Sequence, residues 1–261
     1  MIGKIKTYRD EDPYLTLNIA REIFHKALNE LDFKKIAKEC GFPETASVLV
    51  MLASRISEIC ESIISIKSYY SSVILYRALG EHAIKHAYIS VRSRTNDDVA
   101  MKYFSILANE ELSKIKGAKW PNSLEINKEF KDSTEKIYRD FSLKVILEYF
   151  KNDDESVDFL NLLRGIMVKY SESSSYIHGG PTAVMNPQDK DIKAIRKDAV
   201  ITVISSYFFT MTRFSLFNPE CQQRLEKFNR EIKEIMDDIR EKWFPCEIEN
   251  GHGKQSMTDK E

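Results

Sequence analysis

Polar side chains able to do chemistry are concentrated in residues 170–181, where a helical pattern that begins apolar comes to an end. Three consecutive serines, Tyr176 and His178 share this stretch. An imidazole in such a place can transfer a proton or contact a phosphate, and hydroxyls beside it can donate hydrogen bonds. A purely structural interpretation is also open, since a histidine in a last helical turn interacts favourably with the helix dipole and Gly179 can end the helix.

A second set of charged residues interrupts a mostly apolar helical pattern earlier in the chain. Arg77, Glu81, Lys85 and Tyr88 recur at i, i+4, i+8 and i+11, so they share one stripe of a helix. One interpretation is a ladder of ion pairs in a solvated groove. The other is an internal cleft in which the stripe faces His178. In the cleft, Glu81→Ala would strand a buried cation and cost about 3 kcal/mol of stability, whereas His178→Ala would cost less than about 1 kcal/mol.

Two histidines of the same helix raise the question of a metal site. His82 and His86 stand at i and i+4, a spacing that can place two imidazoles on one ion. Their order relative to Glu81 is not the His-Glu-x-x-His of zinc peptidases, and no third ligand is apparent nearby. We therefore expect no metal, and a metal-dependent hydrolase is the weakest alternative. The chain also lacks a P-loop, a dinucleotide fingerprint and a Gly-x-Ser-x-Gly elbow, so no cofactor is expected.

The bulk composition favours a helical protein without a strong electric field. The 261 residues are 43% hydrophobic, with only 9 Gly and 7 Pro, and Lys plus Arg (39) nearly balances Asp plus Glu (40). Nucleic acid would therefore need a local basic patch. The four cysteines are far apart, the N-terminus has no apolar signal region, and the most apolar run, residues 199–212, is short and contains hydroxyls. These features predict a cytoplasmic location and no membrane segment.

Helical periodicity extends along most of the chain and predicts an all-α fold in one domain. We expect a single bundle over residues 1–244, with its core at about 45–217, and a disordered tail at 245–261. Helices 68–92, 154–177 and 188–217 should form the centre, because they are the most continuously apolar. The predicted helices are 12–31, 44–65, 68–92, 95–116, 125–151, 154–177, 188–217 and 219–243.

The two motifs together resemble a bacterial family of all-helical proteins described as a domain of unknown function. Its pattern is Arg-x-x-x-Glu-x-x-x-x-x-x-Tyr, followed later by Tyr-x-x-x-Ser-x-Tyr-x-His-Gly. The resemblance covers residues 45–215. The matching residues here are Arg77, Glu81 and Tyr88 in the first motif, and Tyr170, Ser174, Tyr176, His178 and Gly179 in the second.

That arrangement is in turn similar to the HEPN superfamily of helical bundles, many of which are metal-independent ribonucleases in toxin–antitoxin and phage-defence systems. HEPN proteins carry an arginine shortly before a late-helix histidine, usually in a dimer. Residues 171–173, where that arginine would stand, are Ser, Glu and Ser. The resemblance implies a homodimer in which His178 is the acid or base, with Tyr176 nearby. Arg77 or Lys85 would supply the cation, and Glu81 would orient one of them.

Two classes of function follow from these residues. The first is a HEPN-like ribonuclease or nucleotide-handling effector, which needs a base, an acid and a cation at the phosphate. The second is a non-catalytic helical module that binds a partner protein or its own copy. The missing arginine and the near-zero net charge favour the second class. The motifs favour the first.

Overall fold

Every regular element in the described part of the chain is an α-helix, which confirms the all-α prediction. The computed structural model describes residues 12–32, 42–93, 97–117, 139–152, 166–168, 170–175, 177–178, 191–217 and 219–243. The predicted tail, residues 245–261, lies outside these ranges. The helices are α1 (Pro13–Glu30), α2 (Pro43–Ser65), α3 (Tyr69–Arg92), α4 (Asp98–Gly117), α5 (Leu143–Asn152), α6 (Ile192–Ser215) and α7 (Pro219–Trp243). Residues 166–168 and 170–175 are also helical, and with 177–178 they are called the serine-rich segment below.

Helix α6 lies at the centre of the bundle and packs against α1, α2, α3 and α7. Residues 202–207 are buried without interruption, which places protein on every side of this helix. Its buried serine and threonine hydroxyls avoid the penalty of an unpaired polar group because each donates to the carbonyl one turn back. Thr202, Ser206 and Thr210 do so at 2.8, 2.9 and 2.9 Å. No described helix is both long enough and apolar enough to cross a bilayer.

Helix α2 also belongs to the centre of the bundle. One face is fully covered, including Leu49, Ala53, Ile56 and Cys60, and packs against α3 and α6. Its serines and charged residues lie mostly on the remaining face. The predicted centre therefore omitted one of its helices. Residues 153–165, which include half of the predicted helix 154–177, lie outside the described residues.

The N-terminus of α2 is capped by a residue of another helix. Phe42 precedes α2 and offers no side-chain cap, whereas the Asp97 carboxylate accepts hydrogen bonds from the backbone amides of Glu44 and Thr45 at 2.9 and 2.8 Å. Asp97 stands directly before α4, where an aspartate side chain often caps its own helix. The Asp97 backbone carbonyl does serve α4, accepting from the amide of Met101 at 2.9 Å. Its side chain instead joins the ends of two helices and fixes where α4 starts relative to α2.

The predicted helix 125–151 is interrupted in its described part. Residues 139–140 are helical, 141–142 form a turn, and α5 begins at Leu143. The Ser142 hydroxyl accepts from the amide of Val145 at 3.4 Å, as an N-terminal cap does. Phe141 in the turn is buried. Periodicity alone missed the break because the apolar spacing continues across it.

Candidate functional site

A mostly apolar groove lies between α5 and the serine-rich segment, with α3 as its floor. We call it the α5 groove. Its volume is about 750 Å³, within the size range of small-ligand sites. It is lined by Ile84 of α3, Leu143 and Leu147 of α5, and Met167, Val168, Tyr170, Ser171, Ser174, Ser175 and His178 of the serine-rich segment.

The serine-rich segment packs against α3 at Gly80. A Cβ atom at Gly80 would stand 3.5 Å from Tyr170 and 3.8 Å from Ile166. Ser173, on the same side of the segment, is buried. Gly80 therefore faces Tyr170 and Ile166 at distances that leave room for a methyl group.

His178 lies at the end of the serine-rich segment, where its side chain is exposed and lines the groove. Its backbone amide donates to the carbonyl of Ser174 at 3.2 Å, which continues the helical pattern to the last described residue of the segment. The imidazole therefore faces both the groove and solvent. Tyr176 and Gly179, the neighbouring residues of the predicted motif, lie outside the described residues.

Arg77 approaches the groove from behind Tyr170. Its guanidinium carbon lies 5.8 Å from the centre of the Tyr170 ring, a cation–π contact between α3 and the serine-rich segment. The buried Nε atom of Arg77 has no hydrogen-bond partner among the described residues. Arg77 itself is not among the residues that line the groove. Tyr170 thus separates the cation from the space beside His178.

Glu81 and Lys85 form an ion pair on α3, with 2.8 Å between Nζ and Oε1. The side chains are 44% and 21% exposed respectively, so the pair is partly solvated. Burial by itself raises the pKa of Glu81. The hydrogen bond from Lys85 and the positive charges of Lys85, His82 and Arg77 outweigh it, so the pKa lies below the ordinary value. Neither side chain lines the α5 groove.

The remaining predicted residues of α3 point elsewhere. Tyr88 is buried and packs edge-on against Phe141 and Tyr149. His86 is buried and bonded to Thr210 of α6, and burial lowers its pKa to about 3. These contacts assign Tyr88 and His86 to the interior of the bundle.

His82 is the second member of the histidine pair, and its surroundings differ from those of His86. Burial, reinforced by the positive charge of Lys85 and opposed by Glu81, lowers the pKa of His82. Its Nδ1 atom is buried without a hydrogen-bond partner among the described residues. Within the ranges that the structure describes, no three histidine, cysteine or acidic side chains are grouped as metal ligands.

Sequence reasoning missed the α5 wall of the groove. Leu143 and Leu147 stand one turn apart directly after the capping Ser142, so their i, i+4 spacing was a usable signal of an apolar face. What the spacing did not indicate is that this face is left partly open against the serine-rich segment.

Comparisons with known proteins add no relative. No protein-family model matches the chain, and no match was found among the curated proteins or the solved structures. The function proposed below rests on the geometry of the groove and of the residues around it.

Proposed function

We infer that this protein is a helical interaction module that pairs with a second copy of itself through the α5 groove. The observation that carries the proposal is an open apolar groove with an exposed apolar side chain on its own rim. Val168 lines the groove and is 54% exposed. In a two-fold dimer the same surface of each copy forms the interface. Val168 of each copy can therefore insert into the α5 groove of the other.

The polar groups of the groove also suit a contact between identical surfaces. Apart from His178, the described residues that line the groove have no acidic or basic side chain. Like charges near a two-fold axis would face each other and repel. Serine hydroxyls both donate and accept hydrogen bonds, so each can bond its own symmetry mate.

Light scattering tests this proposal at micromolar protein concentration. The expected mass is twice the chain mass of 30.3 kDa. Val168→Asp should yield monomer, because it places two carboxylates near the axis and removes the apolar projection. Met101→Asp is the matched control, since Met101 on α4 is 53% exposed and lies away from the groove. A monomeric wild type, or equal dissociation of both variants, would overturn the proposal.

A second candidate function is metal-independent RNA cleavage of the HEPN kind at the same groove. The observation that favours it is the placement of Arg77, whose guanidinium is held against Tyr170 at the groove wall. His178 would act as acid or base on the 2′-hydroxyl or the leaving oxygen. Arg77 would stabilise the phosphate once Tyr170 moves aside, and Glu81, with its ion pair to Lys85, would hold the local charge balance.

Cleavage of a labelled single-stranded RNA in EDTA separates the two candidates. A ribonuclease should cut RNA but not the matching DNA, which lacks the 2′-hydroxyl. His178→Ala should reduce the rate by about 100-fold or more. His25→Ala is the control, since His25 is an exposed histidine on α1. If the dimeric wild type does not cleave RNA, the ribonuclease proposal fails and the interaction module is the remaining candidate.

A further inference from the structure

A second concavity lies on the other side of α5, between α3, α4 and the turn at residues 141–142. We call it the Arg92 pocket. Its volume is about 430 Å³, enough for a small metabolite. The two sites share α3 and α5 but no lining residue, since the α5 groove uses Leu143 and Leu147 of α5 and this pocket uses other residues of that helix. The lining residues are Tyr88, Arg92, Val99, Lys102, Asp140, Phe141, Val145, Glu148 and Tyr149.

The floor of the Arg92 pocket is aromatic. The Tyr88 ring meets Phe141 edge-on at 5.7 Å and Tyr149 edge-on at 5.5 Å. Burial raises the pKa of Tyr88, and the positive charge of Arg92 only partly opposes this, so the phenol stays protonated at neutral pH. The floor therefore offers apolar faces and at least one hydroxyl donor.

Arg92 is held in place by stacking and keeps its hydrogen-bond donors. Its guanidinium carbon lies 4.9 Å from the centre of the Tyr149 ring and 6.0 Å from that of Tyr88. No hydrogen bond or ion pair joins it to a residue that the structure describes. A stacked guanidinium is already oriented, so it can bind a carboxylate through two parallel N–H donors at little cost in side-chain entropy.

The other charges of the pocket balance Arg92. Lys102 and Asp140 stand 4.0 Å apart, which is beyond hydrogen-bond distance. Glu148 adds a second carboxylate, and no described cation lies within ion-pair distance of it. The lining thus carries two positive and two negative side chains. A simple anion or a simple cation would meet as much repulsion as attraction there.

We propose that the Arg92 pocket binds a small free zwitterion with an apolar or aromatic side chain, of the α-amino-acid class. Its carboxylate would pair with Arg92, and its ammonium group would face Asp140 and Glu148. Its side chain would cover the aromatic floor around Phe141. This inference is independent of the function proposed for the α5 groove, since dimerisation and RNA cleavage involve none of these residues.

Calorimetric titration of the full chain with L-phenylalanine tests the proposal. Two analogues of L-phenylalanine test the contribution of each charged group to binding. 3-Phenylpropionate lacks the ammonium group, and phenethylamine lacks the carboxylate. We expect saturable binding of L-phenylalanine, with each analogue at least about tenfold weaker, the equivalent of one lost charged contact. No saturation by about 10 mM L-phenylalanine, a range weaker than millimolar affinity, would overturn the proposal. Equal binding of 3-phenylpropionate would also overturn it, as the pocket would then be a simple anion site.

Two arginine variants provide the control for the site. Arg92→Ala should weaken L-phenylalanine binding by about tenfold or more, because the fork that holds the carboxylate is lost. Arg139→Ala removes the same charge from an exposed position that does not line the pocket, so it should change affinity less than about twofold. Circular dichroism of both variants checks that each is folded. Equal losses for Arg92→Ala and Arg139→Ala would mean that net charge, and not the pocket, determines binding.

Discussion

The Nε2 atom of His86 lies 2.8 Å from the Oγ1 atom of Thr210, and both side chains are buried. The single hydroxyl hydrogen of Thr210 is already donated to the carbonyl of Ser206 at 2.9 Å. Thr210 must therefore accept from His86, so a proton lies on Nε2. Burial lowers the pKa of His86 to about 3 and so keeps the imidazole neutral at neutral pH. The contact joins α3 to α6 at the centre of the bundle.

This contact predicts a loss of stability in acid. Burial lowers the pKa of His86 from 6.5 to about 3, so between these values the unfolded chain binds a proton that the folded chain does not. The stability contributed by neutral His86 is therefore complete above pH 6.5 and is lost as the pH falls towards 3. Urea unfolding at several pH values measures the slope. The matched variant His86→Gln, which cannot titrate, should have a shallower slope, and equal slopes would contradict the prediction.

The contacts of Asp97 predict that its substitution weakens the packing of two helices, α2 and α4. Asp97→Ala removes two amide contacts at the start of α2 and one to the buried Thr45 hydroxyl, and should cost about 2–3 kcal/mol of unfolding free energy. Asp191→Ala, which removes a single exposed contact at the start of α6, should cost about 1 kcal/mol or less. Chemical unfolding of both variants makes the comparison. Equal costs would show that the link between helices adds nothing.

The distances around Gly80 predict a limit on the size of a side chain at this position, where α3 meets the serine-rich segment. A Cβ atom there makes ordinary contacts, 3.5 Å from Tyr170, so Gly80→Ala should be neutral or stabilise the helix by up to about 1 kcal/mol. Gly80→Leu should cost about 1–3 kcal/mol, because it must displace Tyr170. Thermal melts test both changes. A destabilising alanine variant would mean that the crossing is tighter than 3.5 Å.

The exposure of Glu81 predicts a small loss of stability on substitution by alanine, whereas the cleft interpretation of the sequence predicts a large one. Because its carboxylate is 44% exposed, Glu81→Ala should cost less than about 1 kcal/mol, as for a partly solvated ion pair. The value of about 3 kcal/mol expected for a buried pair applies only if solvent is excluded. Thermal melts of Glu81→Ala and Lys85→Ala distinguish the two. A loss near the larger value would show that Glu81 is excluded from solvent in solution.

Several elements were predictable because their signals are local. The N-terminal caps Asp12, Ser68 and Asp191 bond amides two or three residues away, so they are visible as residue types beside an apolar period. The same locality explains the agreement of the predicted helix 68–92 with Tyr69–Arg92. The turn at 141–142 was missed because a serine cap inside a continuing apolar period resembles an ordinary helical position.

The candidate site was only partly predictable. The sequence identified His178 as a residue at a helix end, and the structure places it beside a groove. The convergence of Arg77, Glu81 and His178 in one pocket stays a prediction that depends on motion of Tyr170. The wall formed by Leu143 and Leu147 could not be assigned to this site in advance, since any two helices could have covered it.

The amino-acid sequence by itself determined the all-α class, most helix boundaries and the absence of a strong net charge, because periodicity, capping and composition are properties of neighbouring residues. Only the tertiary structure decided which faces stay open and which polar groups meet. Asp97 caps a helix that begins 54 residues earlier, at Pro43, and His86 meets Thr210 across 124 positions. Such pairings arise from how helices cross, and crossings depend on the packing of many side chains at once.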